Sequence, residues 1–175
     1  SELGFSNDFA VFDSQDQLIL VKQCMKKTQV STDAFPPKSI LNHISGFKND
    51  FVLPEQLDLD TMSYGNQMKA AELYLPYQAA LKSNNALDFD DLLSFTAKLL
   101  QEVPSLRDYY DKKFQHILVD EFQDTNAVQY ELVRLLSRDT NNICVVGDDD
   151  QSIYRWRGAN IENILKFEKD YPGTT

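Results

Sequence analysis

The feature that most constrains the fold is a strand–helix–strand pattern in the second half of the chain. Two short apolar runs, Ile117–Val119 and Ile143–Val146, flank a segment at 126–137 whose apolar residues recur at helical spacing. Neither run alternates apolar with polar side chains, which predicts strands covered on both faces and paired in parallel. The pattern predicts an α/β fold over residues 88–175.

Each apolar run ends in acidic residues. Asp120 and Glu121 follow the first run, and three aspartates at 148–150 follow the second after Gly147. Ligands of open α/β sheets bind beyond the carboxyl ends of the strands. Carboxylates there can hold Mg²⁺ or orient a water molecule, which favours a metal role for Asp120 and a water-activating role for Glu121. The alternative is that these acids form ordinary polar turns.

An aromatic–arginine segment follows the second acidic cluster. Tyr154, Arg155, Trp156 and Arg157 alternate rings with guanidinium groups. Rings stack on unpaired bases, and arginines bind phosphates through two hydrogen bonds. A net charge of −10 argues against non-specific nucleic-acid binding, so this segment would have to act as a local patch. The alternative is a buried tryptophan with two salt-bridged arginines.

The first half of the chain carries helical patterns and no β-pattern, which predicts an all-helical domain over residues 1–87. Asp13 or Ser14 is the candidate N-cap of the first helix and Asp88 that of a later one, and Pro76 predicts a kink or break in a long helix. The predicted helices begin near residue 14 and then cover 39–48, 64–83, 88–103, 106–113, 126–137 and 162–170.

Several sequence features bear on the cellular compartment in which the protein is expected. The sequence has no run long enough to span a membrane and no signal peptide at its start. Cys24 and Cys144 lie far apart, and Cys144 is predicted to be a small buried hydrophobe. A reducing, cytoplasmic location is the expectation.

The motifs resemble those of superfamily 1 DNA helicases of the Rep/UvrD/PcrA group. The stretches that carry the resemblance are residues 117–125 (ILVDEFQDT) and 145–159 (VVGDDDQSIYRWRGA), with weaker matches at 87–93 and 12–18. The uninterrupted aspartates before Gln151 fit this group better than RecB-type nucleases, where a proline usually interrupts the acids.

The resemblance implies a role for each site residue on the nucleotide side. Asp120 would bind the Mg²⁺ of Mg-ATP, Glu121 would activate the hydrolytic water, and Gln151 would sense the γ-phosphate and couple hydrolysis to movement. The implied fold is part of a RecA-like parallel sheet with flanking helices, preceded by a helical accessory domain.

The resemblance also implies a DNA partner. Tyr154 and Trp156 would stack on bases of single-stranded DNA, and Arg157 would lie near the DNA backbone or the nucleotide cleft. Members of the family translocate 3′ to 5′ and act at duplex junctions in replication or repair.

The chain departs from the family in lacking a phosphate-binding loop. None of its six glycines precedes a lysine, so no Gly-Lys-Ser/Thr sequence is present. The chain is therefore expected to be an internal piece of a longer helicase, without the second motor domain, and to be inactive alone.

Two other functions remain open on the residues alone. The first is a metal-dependent phosphoesterase or nuclease that uses Asp120, Glu121 and the 148–150 cluster as a two-metal site. The second is a non-catalytic module that binds single-stranded DNA or a protein.

Overall fold

The computed structural model of the chain describes residues 2–138, 141–148 and 162–173. The chain divides into two compact units, Ser1–Leu92 and Leu93–Thr175. In the described parts, no helix combines the length and the apolar character needed to cross a bilayer.

The first unit is built mainly from helices whose ends follow local sequence signals. Its helices are α1 (Ser14–Lys27), α2 (Pro37–Asn49), α3 (Asn66–Ser83) and the start of α4 (Phe89–Glu102), with short 3-10 turns at Pro54–Gln56 and Leu59–Thr61. Asp13 caps α1 by accepting hydrogen bonds from the N–H groups of Gln15 and Asp16, as predicted. Of the kink or break predicted at Pro76, the break does not occur, since α3 continues through this residue to Ser83.

The prediction that the first half is entirely helical is wrong. Strand β1 (Ala10–Val11) pairs in parallel with strand β2 (Ala86–Leu87). Each strand has only two residues, too few for an alternating or continuous apolar pattern to stand out in the sequence. Only the tertiary fold brings two segments so far apart in sequence into register.

The core of the first unit lies between α1, α2 and α3. Its buried members are mostly aliphatic and aromatic: Leu20, Val21, Cys24, Met25, Ile40, Ile44, Phe47, Ala70, Ala71, Leu73, Tyr74, Tyr77, Leu81 and Ala86. Most of these residues lie in segments that the sequence predicts to be helical, so periodicity located the helices that form the core.

A buried lysine lies beside this core. Lys48 is 1 % exposed, and its Nζ lies 2.6 Å from Asp88 Oδ2 and 2.8 Å from Asp91 Oδ1. The rings of Tyr74 and Tyr77 lie 5.9 and 5.2 Å from the same nitrogen, and the Tyr77 hydroxyl donates to Asp88. Asp88 also caps α4, as predicted, by accepting from the N–H of Asp91. The cluster thus ties the start of α4 to α2 and α3.

This cluster predicts a pH dependence of stability. Burial raises the pKa of Asp91 to about 6, and the charge of Asp88 adds to the rise while Lys48 opposes it. The folded chain then keeps a proton that the unfolded chain loses, so the free energy of unfolding falls as pH rises from about 4 to about 6. At ~1.4 kcal/mol per pKa unit, the loss is at most about 3 kcal/mol.

Urea denaturation of the wild type and of Asp91→Asn between pH 4 and pH 7 measures this effect. The wild type should lose stability relative to the variant across that window, because asparagine does not titrate. A difference between the two that does not change with pH would contradict the prediction.

The second unit contains the predicted strand–helix–strand arrangement. Its elements are the remainder of α4, then α5 (Pro104–Lys113), β3 (Ile117–Val119), a 3-10 turn (Phe122–Asp124), α6 (Ala127–Leu136), β4 (Ile143–Val145) and α7 (Glu162–Asp170). Strands β3 and β4 pair in parallel, with Val119 opposite Val145, which confirms the predicted pairing.

The predicted burial of both faces of these strands is wrong. Leu118 is 78 % exposed, and Cys144, opposite it in the register, is also exposed rather than a buried hydrophobe. The continuous apolar pattern is typical of strands covered on both sides, whereas the described residues cover one side of this pair.

The covered side of the sheet packs on aromatic rings. Phe122, Tyr130, Phe167 and Tyr171 form the cluster, and Val119 is among the strand residues packed against it. The ring centroids of Phe122 and Phe167 are 5.6 Å apart in an edge-to-face arrangement. This cluster holds the turn after β3 against α7.

Candidate active site

The parallel pairing of β3 and β4 brings Asp120 and Glu121 to the same edge of the sheet as Asp148. The ladder continues past the strands, since Val146 N–H donates to Val119 O at 2.8 Å and Phe122 N–H donates to Val146 O at 2.9 Å. Asp120 and Glu121 therefore lie beside the segment that begins at Gly147, as the sequence predicts.

Glu121 has an unusual backbone conformation. Its φ and ψ are 52° and 42°, in the left-handed region that a residue with a Cβ seldom occupies. The Glu121 N–H donates to Asp120 Oδ1 at 2.9 Å, and the next residues form the 3-10 turn. Strained backbone of this kind is frequent at functional sites, and it makes Glu121 a strong candidate.

Gln123 links Glu121 to the end of β4. Its side-chain Nε2 donates to Glu121 Oε2 at 2.6 Å, and its Oε1 accepts from the N–H of Asp148 at 2.9 Å. Gln123 is 1 % exposed, whereas Glu121 and Asp148 are exposed. A buried amide therefore holds an exposed carboxylate in place.

Gly147 makes room for that amide. A Cβ at position 147 would lie 2.8 Å from Gln123 Oε1 and 3.3 Å from the backbone nitrogen of Gln123. A Cβ here would displace the Gln123 amide, which its two hydrogen bonds hold in place, so glycine leaves the space that this amide occupies.

Asp120 is suited to the predicted metal. It is exposed at the strand end, and among the described residues only Oδ1 accepts a hydrogen bond, which leaves Oδ2 available to a cation. Mg²⁺ in nucleotide sites is typically held by one or two carboxylates together with phosphates and water. The parts of the chain that the structure describes hold no group of three or more potential metal ligands.

The other predicted site residues lie outside the described residues. These are the two aspartates at 149 and 150, Gln151, Tyr154, Trp156 and Arg157. Their roles stay predictions. The described part of the site thus consists of Asp120, Glu121, Gln123, Gly147 and Asp148.

The sequence matches the family described as UvrD/REP helicase N-terminal domain over residues 1–172. The chain belongs to this family. The resemblance inferred from the motifs is therefore confirmed, and it extends over both units.

Proteins similar to this UvrD/REP family member are named ATP-dependent DNA helicase PcrA. The chain is 46 % identical to that of Bacillus subtilis (strain 168) over 173 residues, which cover 99 % of this chain and 23 % of the relative. It is also 46 % identical to that of Staphylococcus aureus (strain Mu50 / ATCC 700699) over 97 % of this chain and 23 % of the relative. The chain thus spans less than a quarter of the length of these relatives.

Sequence reasoning about this UvrD/REP domain missed the role of Gln123. The residue stands inside the quoted motif at 117–125, but nothing in the local pattern distinguishes its side chain from that of any other turn residue. The available signal was indirect: a glycine at 147 follows a strand paired with β3, and such a glycine can mark close approach of another group.

Proposed function

We propose that the protein containing this chain is an ATP-dependent helicase that moves 3′ to 5′ on single-stranded DNA and opens duplex junctions in replication or repair. This chain would contribute a helical accessory domain, residues 1–87, and the later part of a RecA-like motor domain, residues 88–175. The observation that carries the proposal is the meeting of Asp120 and Glu121 with the Gly147–Asp148 segment at the carboxyl edge of two parallel strands.

The nucleotide side of the proposed mechanism rests on two carboxylates. Asp120 would hold the Mg²⁺ of Mg-ATP, and the bound ion would offset charge on the phosphate oxygens. Glu121 would orient a water molecule and accept its proton, a role that requires an exposed carboxylate held in one place. The exposure of Glu121 and its hydrogen bond from Gln123 support that role.

The coupling and DNA roles are proposed for the segment after β4. Gln151 would contact the γ-phosphate, Tyr154 and Trp156 would stack on bases, and Arg157 would bind the DNA backbone or the nucleotide. The support is the sequence order, because these residues follow directly from Gly147 and Asp148 at the edge of the sheet. A cytoplasmic location is part of the same proposal.

The exposed side of the β3–β4 pair supports a larger domain in the complete protein. Strands with continuous apolar sequences are normally covered on both faces, and Leu118 is 78 % exposed. We propose that other parts of the RecA-like domain cover this side and supply the phosphate-binding loop that the 175 residues lack.

The direction of movement gives a direct test. In the presence of Mg-ATP, the complete protein should displace the strand from a duplex with a 3′ single-stranded tail and fail with a 5′ tail. Fluorescence of a labelled strand measures the displacement, and Trp156→Ala should slow it because a stacking surface is lost. Equal activity on both tails would contradict the proposed direction.

Assays of the isolated 175-residue chain provide a second test. It should not hydrolyse ATP above background, with or without DNA, because no Gly-Lys-Ser/Thr sequence is present to hold the phosphates. Mg²⁺-dependent DNA cleavage lost in Asp120→Ala would instead indicate a nuclease. DNA binding lost in Trp156→Ala, with no effect of nucleotide on the complete protein, would indicate a non-catalytic module.

A further inference from the structure

The side chain of Gln123 makes two hydrogen bonds that fix its orientation. A carboxylate oxygen can only accept, so Nε2 must be the atom facing Glu121 Oε2 at 2.6 Å. A backbone N–H can only donate, so Oε1 must be the atom facing Asp148 N at 2.9 Å. The two partners together exclude the flipped amide, and a hydrogen bond to a carboxylate is among the stronger kinds.

The backbone around Gln123 is also held firmly. Phe122 N–H donates to Val146 O at 2.9 Å, Asp124 N–H donates to Glu121 O at 2.9 Å, and the Phe122 ring packs on Phe167. The buried amide of Asn163 on α7 donates to Thr125 O at 3.0 Å, just after the turn. Gln123 therefore projects from a turn that is fixed to both β4 and α7.

Gly147 completes the arrangement from the other side. Because any side chain there would meet the Gln123 amide oxygen at 2.8 Å, the close approach of the two segments depends on glycine. The amide thus lies between the turn after β3 and the segment after β4, and it bonds to the Glu121 carboxylate on one and to the Asp148 backbone N–H on the other.

We propose that Gln123 is a positioning residue for hydrolysis, which holds the Glu121 carboxylate at a fixed place relative to the end of β4. The inference rests on the proposed function, since it acts through Glu121. The second hydrogen bond of the amide, from Asp148 N–H at 2.9 Å, supplies the fixed point at the end of β4.

The test uses Gln123→Leu in the complete protein, which keeps the volume of the side chain and removes both hydrogen bonds. The kcat of DNA-stimulated ATP hydrolysis should fall by roughly 10–100-fold, the usual effect of removing a group that orients a functional residue. The KM for ATP should stay within about threefold, because Gln123 is not proposed to touch the nucleotide.

A double-mutant cycle separates positioning from a general structural effect. If Gln123 acts through Glu121, then Gln123→Leu should cause no further loss of kcat in a Glu121→Gln background, measured under single-turnover conditions. A structural role would lower kcat by a similar factor in both backgrounds, which would overturn the proposal.

Four further variants keep the test decisive. Gly147→Ala should reproduce the loss of kcat with Gln123 still present, whereas Gly46→Ala, which meets no atom within 4 Å, should not. Gln129→Leu is the matched control for loss of a side-chain amide. Gln129 accepts a hydrogen bond from the N–H of Asn126 and does not touch Glu121. If Q123L unfolds below the assay temperature, Gln123→Asn replaces it, with a similar loss of kcat expected from its shorter reach.

The outcomes for the two proposals are distinguishable. Normal hydrolysis in Glu121→Gln would overturn the proposed function and the positioning role with it. Loss of hydrolysis in Glu121→Gln, with wild-type kcat in Q123L and G147A, would overturn the positioning role alone. Loss in all three, without additivity, would support both.

Discussion

Replacing Lys48 with methionine is expected to destabilise the first unit by about 3–5 kcal/mol, the usual cost of removing one partner from a buried ion pair. Lys48 is 1 % exposed and lies within 2.8 Å of carboxylate oxygens of both Asp88 and Asp91. Without it, two buried carboxylates would lose the cation that pairs with both. Because whole domains are stable by only ~5–15 kcal/mol, the variant should unfold at a much lower urea concentration.

A matched control is available on the surface of the same unit. Lys69 is paired with Glu72 at 2.7 Å, but its side chain is 20 % exposed, and such pairs contribute ~1 kcal/mol or less. Lys69→Met should therefore shift the urea midpoint only slightly. Adding Asp91→Asn to Lys48→Met should recover part of the loss, because one buried charge is then removed. Equal midpoints for K48M and K69M would contradict the explanation.

Replacing Glu121 with glutamine is expected to lower DNA-stimulated ATP hydrolysis by the complete protein by ~10²–10⁴-fold, the range for loss of a general base. Glutamine keeps the shape of the side chain and can still accept from Gln123 Nε2, so the turn after β3 should remain intact. ATP binding should change little, because Asp120 and the other nucleotide contacts are retained. Steady-state hydrolysis and fluorescent-nucleotide titration measure the two quantities separately.

Glu131 provides the control for this substitution. It lies on α6 in the same unit and pairs with Arg134 at 2.7 Å. It is not one of the proposed site residues. Glu131→Gln should leave the rate of hydrolysis close to that of the wild type. If both variants hydrolyse ATP equally well, Glu121 does not activate the water.

The helices were predictable because their signals are local. Apolar spacing and the cap candidates placed the start of α1 and both ends of α4 to within one or two residues. The strands β3 and β4 were also predictable, since apolar runs flanking a helix favour parallel pairing. Strands β1 and β2 were not, because two residues carry no periodicity.

The site was predictable in its chemistry but not in its contacts. Asp120 and Glu121 stood out because carboxylates directly followed an apolar run. The left-handed backbone at Glu121 and the link through Gln123 to Asp148 did not, since both depend on how the chain turns after β3. A motif lists residues in order, and it does not state which side chains touch.

The sequence by itself determined the family, the helices and the acidic edge of the β3–β4 pair, because periodicity and motif order are properties of neighbouring residues. The tertiary structure alone decided that Lys48 is buried between two aspartates and that Gln123 holds Glu121 beside Gly147. Lys48 contacts residues that are 40 and 43 positions away in the sequence. Gln123 joins the turn after β3 to the end of β4. No local pattern encodes such pairs, because burial and hydrogen-bond geometry arise only when the elements pack.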